Sequence, residues 1–274
     1  MSRWFRGAET TCSAYLRNMT ALFADLTPAM FAYAVLIAVL GGFIKGVVGF
    51  GLPLVMISGL SILIAPELAV AAIILPVLVT NLWQTMRGGL GQARDALRLH
   101  WRYVALVCVM IVISAQFLTS FSNAALLMLV GIPVVLLCLI QLAGWRPRIA
   151  PRYRPVFEWT VGALAGGLGG LTTTWGPPTV LYLIAIETPR QQQMAVQGVI
   201  YGLGAVMLFV GHITSGVLNG TTVWLSAALV GPGLLGIWLG FRFGDRFDQE
   251  RFRKVTLWVL AIAGLNLVRK GLLG

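Results

Sequence analysis

Charged residues are scarce in this chain, at 11% against about 25% in soluble globular domains. Only nine of its 274 residues are aspartate or glutamate, while 58% are hydrophobic and the mean hydropathy is +0.86. A water-soluble fold is excluded, and the chain reads as an integral membrane protein. Its length holds about eight spans of roughly 20 residues and leaves no room for a large soluble domain. Cysteine is rare and scattered, as Cys12, Cys108 and Cys138, which excludes a disulfide framework and any metal-ligand spacing. No cofactor is expected. Residues 1–27 carry Arg3, Arg6, Glu9, Arg17 and Asp25 and lack the uninterrupted apolar core of a signal peptide, so they read as an interfacial or mobile extension.

Acidic side chains are also missing from the middle of the apolar runs. Glu67, Asp95, Glu158, Glu187, Asp245, Asp248 and Glu250 all fall near predicted helix ends or loops, so no carboxylate proton relay is visible. The two histidines, His100 and His212, are far apart, and His212 is expected at a membrane interface. With neither a Ser/His pair on one face nor an intramembrane Asp pair, an enzyme is disfavoured.

What is abundant is arginine between apolar runs. A net charge of +11 in a soluble protein would point to nucleic acid, but here it marks cytoplasmic loops by the positive-inside rule, and no nucleic-acid partner is expected. Arg87, Arg94, Arg98 and Arg102 mark one such loop, Arg146, Arg148, Arg152 and Arg154 a second, and Arg242, Arg246, Arg251, Arg253 and Lys254 a third. Trp101, Trp145 and Trp159 sit where runs meet basic loops, as an interfacial belt does.

A glycine-rich, proline-stopped interruption occurs twice, as Gly41-Gly42-Phe43-Ile44-Lys45-Gly46-Val47-Val48-Gly49-Phe50-Gly51-Leu52-Pro53 and as Gly166-Gly167-Leu168-Gly169-Gly170-Leu171-Thr172-Thr173-Thr174-Trp175-Gly176-Pro177-Pro178. Laying Gly51 on Gly176 brings Phe50 onto Trp175 and Pro53 onto Pro178. Duplicated broken helices point to a transport site. The runs at 52–64 and 177–187 are too short to span and read as half-helices or re-entrant arms. Equivalent loops differ in charge, Arg87-Gly88-Gly89 being basic and Gly211-His212-Ile213-Thr214-Ser215-Gly216 neutral, so the copies are expected in opposite senses with both termini outside. The expected fold is all-α and polytopic, with two inverted repeats, 28–143 and 157–271, joined by a basic cytoplasmic linker, 144–156.

Unwound backbone at membrane depth must line a cavity or be buried in protein, so the two breaks are expected to face one another. Gly42, Pro53, Gly167, Pro177 and Pro178 are the candidate structural breaks. Candidate substrate contacts from the first break are Lys45, Gly46, Gly49, Phe50 and Gly51, and from the second Thr172, Thr173, Thr174, Trp175 and Gly176. Arms starting at the prolines would aim helix N-termini at an anion. Lys45 either contacts that anion or snorkels to an interface. The threonines offer hydroxyl donors or bond back to their own helix. Phe50 and Trp175 wall the site or pack elsewhere, and the glycines alone equally suit close helix packing. Asn81 with Gln84, and Gln197 with Tyr201, share helical faces and either line the cavity or bond helices together.

Gly42-Phe43-Ile44-Lys45-Gly46-Val47-Val48-Gly49-Phe50-Gly51, Asn81 with the Arg87-Gly88-Gly89 turn, and Gly176-Pro177-Pro178 resemble the sulfite exporter TauE/SafE family over roughly residues 28–271. The stretch Thr172-Thr173-Thr174-Trp175 departs from it, since many relatives look more glycine-rich there. The resemblance implies export of sulfite, an organosulfonate or a related sulfur-containing or organic anion. The expectation is therefore a secondary transporter working by alternating access, multi-pass in a bacterial inner membrane, with a small anion and the lipid bilayer as partners. A coupling ion, such as a proton, is left open. A passive anion channel is the alternative, followed by an intramembrane enzyme.

Overall fold

Prolines open the helices of the first break and glycines separate them. In the computed structural model, which describes residues 27–145, 147–246 and 248–273, α1 (Pro28–Val48) starts under Thr27, whose side chain accepts from the Met30 N–H, and stops at Gly49 with φ 86°. Then α2 (Leu52–Leu60) restarts with Pro53 in its first turn. The first half is completed by α3 (Pro66–Arg87), α4 (Leu90–Ala115) and α5 (Asn123–Leu142). In the second half follow α6 (Arg154–Thr172), α7 (Gly176–Ala185), α8 (Arg190–Thr214), α9 (Thr222–Ala228), α10 (Val230–Phe243) and α11 (Gln249–Leu273). Most of the N-terminal extension, and Arg146 of the linker, lie outside the described residues.

Every regular element among the described residues is helical. Among the described residues, seven helical segments are long and apolar enough to cross a membrane, with α9 and α10 counted as one. This is a polytopic membrane protein. Glycine-rich α6, with Arg154 and Glu158 in its first turns, is not among the seven.

Glycines set the closest helix contacts. Parallel helices α1 and α10 meet where Gly42 faces Gly233 and Gly236, and Gly46 faces Ile237 and Gly240. In the same way α6 runs along α4, with Gly166 against Val107 and Met110, and Gly170 against Ile111, Ser114 and Ala115. A Cβ on any of these four glycines would strike neighbouring backbone, as expected where small residues let membrane helices approach. Two further pairs are antiparallel. Gly202 of α8 lies beside Thr85 and Asn81 of α3, with Gly198 beside Gln84, while Gly131 and Ala124 of α5 meet Gly264 and Gly271 of α11.

This packing corrects two expected breaks. Gly42 and Gly167 lie inside unbroken α1 and α6, because the first half of each glycine cluster serves helix contact or leaves a gap rather than unwinding. The real interruptions are Gly49–Gly51 and Thr173–Trp175. Pro53, Pro177 and Pro178 do sit in the first turns of the arms, where a missing N–H is harmless.

Both arms fold back on the helix before them. Leu52 and Met56 of α2 lie over Gly41, and Gly59 lies over Ile37. Likewise α7 returns along α6 until the Tyr182 hydroxyl reaches Glu158 at 3.2 Å. The arms have 9 and 10 residues, about 14 Å of helix and half the thickness of a bilayer core. Each is therefore too short to cross a membrane alone and returns along the helix before it. Helix ends match one residue away from the register read off the sequence: Val48 corresponds to Thr172, the left-handed cap Gly49 to Thr173, and Leu52 to Gly176. Phe50 then falls opposite Thr174, and Trp175 opposite Gly51.

Candidate functional site

The two breaks meet. Between them lies a cavity of about 20 Å³ walled by Lys45, Phe50, Gly51, Asn81, Thr173, Thr174, Trp175, Gly176 and Tyr201, together with Pro53, Leu54 and Pro177 of the arm starts. Nine of the fourteen candidate contacts thus gather round one space. That space admits about one water, so an oxyanion enters only if the arms part.

Lys45 is its only charged wall residue. The side chain is buried at 2% exposure, so it does not snorkel. Its Nζ donates to Asn81 Oδ1 and lies 6.0 Å from the centre of the Tyr201 ring. Among the described residues no carboxylate pairs with it. A carboxamide oxygen and an aromatic face leave most of an ammonium charge uncompensated, and the positive ends of α2 and α7 add to it.

On the second break, Trp175 packs edge-on to Tyr201 with ring centroids 6.4 Å apart. Its Nε1 is buried with no hydrogen-bond partner among the described residues. The Tyr201 hydroxyl donates to the Gly176 carbonyl at 3.1 Å, tying α8 to the start of α7. Thr173 holds φ 58°, a left-handed conformation rare for a β-branched residue, while its hydroxyl bonds the Thr172 carbonyl at 2.6 Å. Phe50 and Trp175 are both buried and both wall the cavity, so packing and lining coincide.

Five candidates lie elsewhere. The hydroxyl of Thr172 donates to the Leu168 carbonyl at 2.6 Å and bonds Thr174 Oγ1, the local back-bonding that β-hydroxyls favour in helices. Gly46 packs on α10 and also lines the recess described below. Gly49, Gln84 and Gln197 form a partition instead: Gln84 Nε2 donates to the Gly49 carbonyl at 3.2 Å, and a Cβ on Gly49 would come 2.5 Å from Gln197 Oε1. Beyond the partition opens a recess of about 390 Å³ among the ends of α1, α3 and α10 and the first turns of α4 and α8, its walls including Gln84, Arg87, Gln92 and Phe241. The Arg87 guanidinium stacks on Phe241 at 4.0 Å. Recess and cavity share no wall residue.

Two polar features escaped the sequence. Glu158, expected at a helix end, is buried and joined by Arg154 at 2.9 Å and Tyr182, next to His100. His212, expected at a membrane interface, is fully buried in the last turn of α8, where the Leu218 N–H folds back to bond its carbonyl at 2.9 Å. The i,i+4 spacing of Arg154 and Glu158 was a signal for the first; nothing local signalled the second.

Groups of three or more metal-binding side chains are absent among the described residues. No curated protein and no solved structure matches the chain. A family description matches residues 34–267, nearly all of the membrane portion including both breaks and both arms. The chain belongs to the sulfite exporter TauE/SafE family, and so to a family of membrane transporters.

Proposed function

We propose that the protein is a secondary transporter that exports sulfite, an organosulfonate or a related small anion across a bacterial inner membrane by alternating access around the two breaks. One observation carries this: a buried lysine with no carboxylate partner among the described residues forms the wall of a cavity between two interrupted helices. An ammonium at such depth costs about 2.5–3.5 kcal/mol on insertion scales, and an anion bound against Lys45 would offset that cost. The exposed Arg87 recess provides an approach from the basic side, with the Gly49–Gln84 contact as the barrier between recess and site.

The two halves, 28–143 and 157–271, act in this proposal as inverted repeats. Supporting this, the parallel pair α1/α10 has its counterpart in α6/α4, while α3/α8 and α5/α11 are antiparallel pairs between equivalent helices. Rocking one half against the other would exchange the Arg87-side opening for one past Trp175. A passive channel would need a continuous path, and the separation of recess from cavity disfavours one. Export as the direction, and sulfur oxyanions as the class, rest on the family.

Counterflow of radiolabelled sulfite into proteoliposomes loaded with unlabelled sulfite tests the proposal. Transient accumulation of label is expected, with thiosulfate, sulfate and sulfoacetate ranked as competitors. Equilibration without overshoot means a channel, and no protein-dependent flux of any of these anions removes sulfur oxyanions as substrates.

A further inference from the structure

A second polar cluster lies away from the cavity, where the first turns of α6 and a kink in α4 meet the far end of arm α7. His100 interrupts α4 with φ −115° and ψ 17°, and the adjoining Leu99 carbonyl accepts from Arg154 Nη2 at 3.3 Å. His100 Nδ1 lies 2.9 Å from the Tyr182 hydroxyl, which donates to Glu158 Oε1 at 3.2 Å. With that hydroxyl proton committed to the carboxylate, the hydrogen-bond network assigns a hydrogen to Nδ1. Nε2 is then a buried nitrogen with no partner among the described residues.

Charged groups face His100 from α6, as Arg154 and Glu158, and from its own helix as Arg102, which lies 4.0 Å from Glu158. The side chains of Tyr182 and Thr179 from α7 and Tyr103 from α4 are neutral neighbours. Tyr103 stacks on Tyr182 at 4.0 Å with planes 1° apart, and its hydroxyl is 3.0 Å from Thr179 Oγ1. Thr179 in turn donates to the carbonyl of Trp175, a wall of the anion cavity, at 2.7 Å. A mere clamp for α7 needs only the aromatic stack. A buried carboxylate and an imidazole with one unpartnered nitrogen are costly to keep from water even near a helix end, and they mark a task.

We propose that His100, Tyr182 and Glu158 form the binding site of a coupling proton, an inference that rests on the carrier reading above. When α7 lifts and water reaches Nε2, that nitrogen takes up a proton, and an imidazolium and a carboxylate then flank the phenol. Tyr182 passes its own proton to Glu158 and takes one from His100 Nδ1. The products are a neutral imidazole, the phenol and a carboxylic acid, so one proton has moved from His100 to Glu158 and charge is conserved. Glu158, beside the partly exposed Arg102 and Arg154, then exchanges it with water. Because Tyr182 and Thr179 belong to α7, occupancy of this site sets how firmly the arm holds Trp175 against the cavity.

The test uses proteoliposomes of the full chain carrying wild type, His100→Gln or Tyr182→Phe, with protein-free vesicles as the blank. Each is assayed for sulfite counterflow at equal pH and for sulfite accumulation under an imposed pH gradient. The expected result is that both variants keep counterflow and lose gradient-driven accumulation to the level of the blank. The proposal is overturned if either variant, with counterflow intact, still accumulates like wild type. It is also overturned if both activities fall in proportion, the mark of a structural clamp, or if wild type shows counterflow and ignores the gradient. Absence of counterflow in wild type instead defeats the carrier reading, and this inference with it.

Discussion

The two breaks share a backbone plan and divide the chemistry between them. Each follows a glycine-packed helix, turns through a left-handed cap and starts a short arm that folds back. The first spends glycine on both unusual positions, Gly49 at φ 86° and Gly51 at φ 107°, and places a lysine one turn earlier. In the second, a threonine holds the left-handed position, a tryptophan caps the arm, and no charge is present. The two breaks therefore share a scaffold, where helix contact leaves little freedom, and differ in the side chains that face the cavity. An anion bound between them would meet its countercharge on one side and neutral donors on the other.

The largest expected effect breaks this division if it fails. A hydrogen bond to a charged group is worth about 1.5–3 kcal/mol, and about 1.4 kcal/mol is tenfold in affinity. Lys45→Met should therefore weaken sulfite binding on the order of 10- to 100-fold, read by titrating the fluorescence of detergent-purified protein. Thermal stability should not fall, because an uncompensated buried charge is removed along with its bond to Asn81. Thr174→Val should cost less than Lys45→Met. Equal losses would mean that the breaks share the anion evenly, and unchanged affinity in folded Lys45→Met would remove Lys45 from the site.

The scaffold half of the comparison is sharpened by paired glycine substitutions. Gly46→Ala places a Cβ 2.6 Å from the Ile237 carbonyl oxygen, and Gly170→Ala drives one into Ile111 and Ser114. Overpacking of this kind costs typically about 1–3 kcal/mol, so both should lower the unfolding midpoint by similar amounts. Gly167→Ala meets only Met110 Cε at 4.0 Å and should be neutral or stabilising, since alanine favours a helix over glycine by up to about 1 kcal/mol. A large difference between Gly46→Ala and Gly170→Ala would show that the two helix pairs are not equivalent in energy.

Much of this was legible in the sequence, because apolar run length, proline starts and glycine clusters are local signals. They gave the arms within a few residues and put Lys45 and Trp175 at the two breaks, while leaving Asn81 and Tyr201 open between lining the cavity and bonding helices together. Glycine was ambiguous: the same residue that permits a positive φ at Gly49 permits close helix contact at Gly42, and only the neighbour distinguishes them. The one-residue error in register came from aligning Gly51 with Gly176, when a left-handed cap can be filled by Thr173. The i,i+4 spacing of Arg154 and Glu158 signals their ion pair, but burial of Glu158 depends on α7 folding back over α6, a tertiary event with no local signal.

Thr173 supplies the smallest and most discriminating effect. A left-handed conformation costs an L-residue roughly 1–2 kcal/mol, and such strain persists where surroundings impose it, often at functional sites. Thr173→Gly removes that strain and also removes a buried side chain whose hydroxyl is bonded to the preceding carbonyl. The two terms oppose, so stability should change by less than about 1 kcal/mol. Gly49→Ala has no such offset, because it introduces the strain and a Cβ pressed on Gln197 Oε1, and it should destabilise by about 2 kcal/mol. The sulfite affinity of Thr173→Gly then separates two reasons for a threonine in this position. Unchanged binding makes Thr173 a tolerated substitute for glycine in a left-handed cap. Weakened binding at undiminished stability makes it a donor to the anion, for which the chain accepts a strained cap.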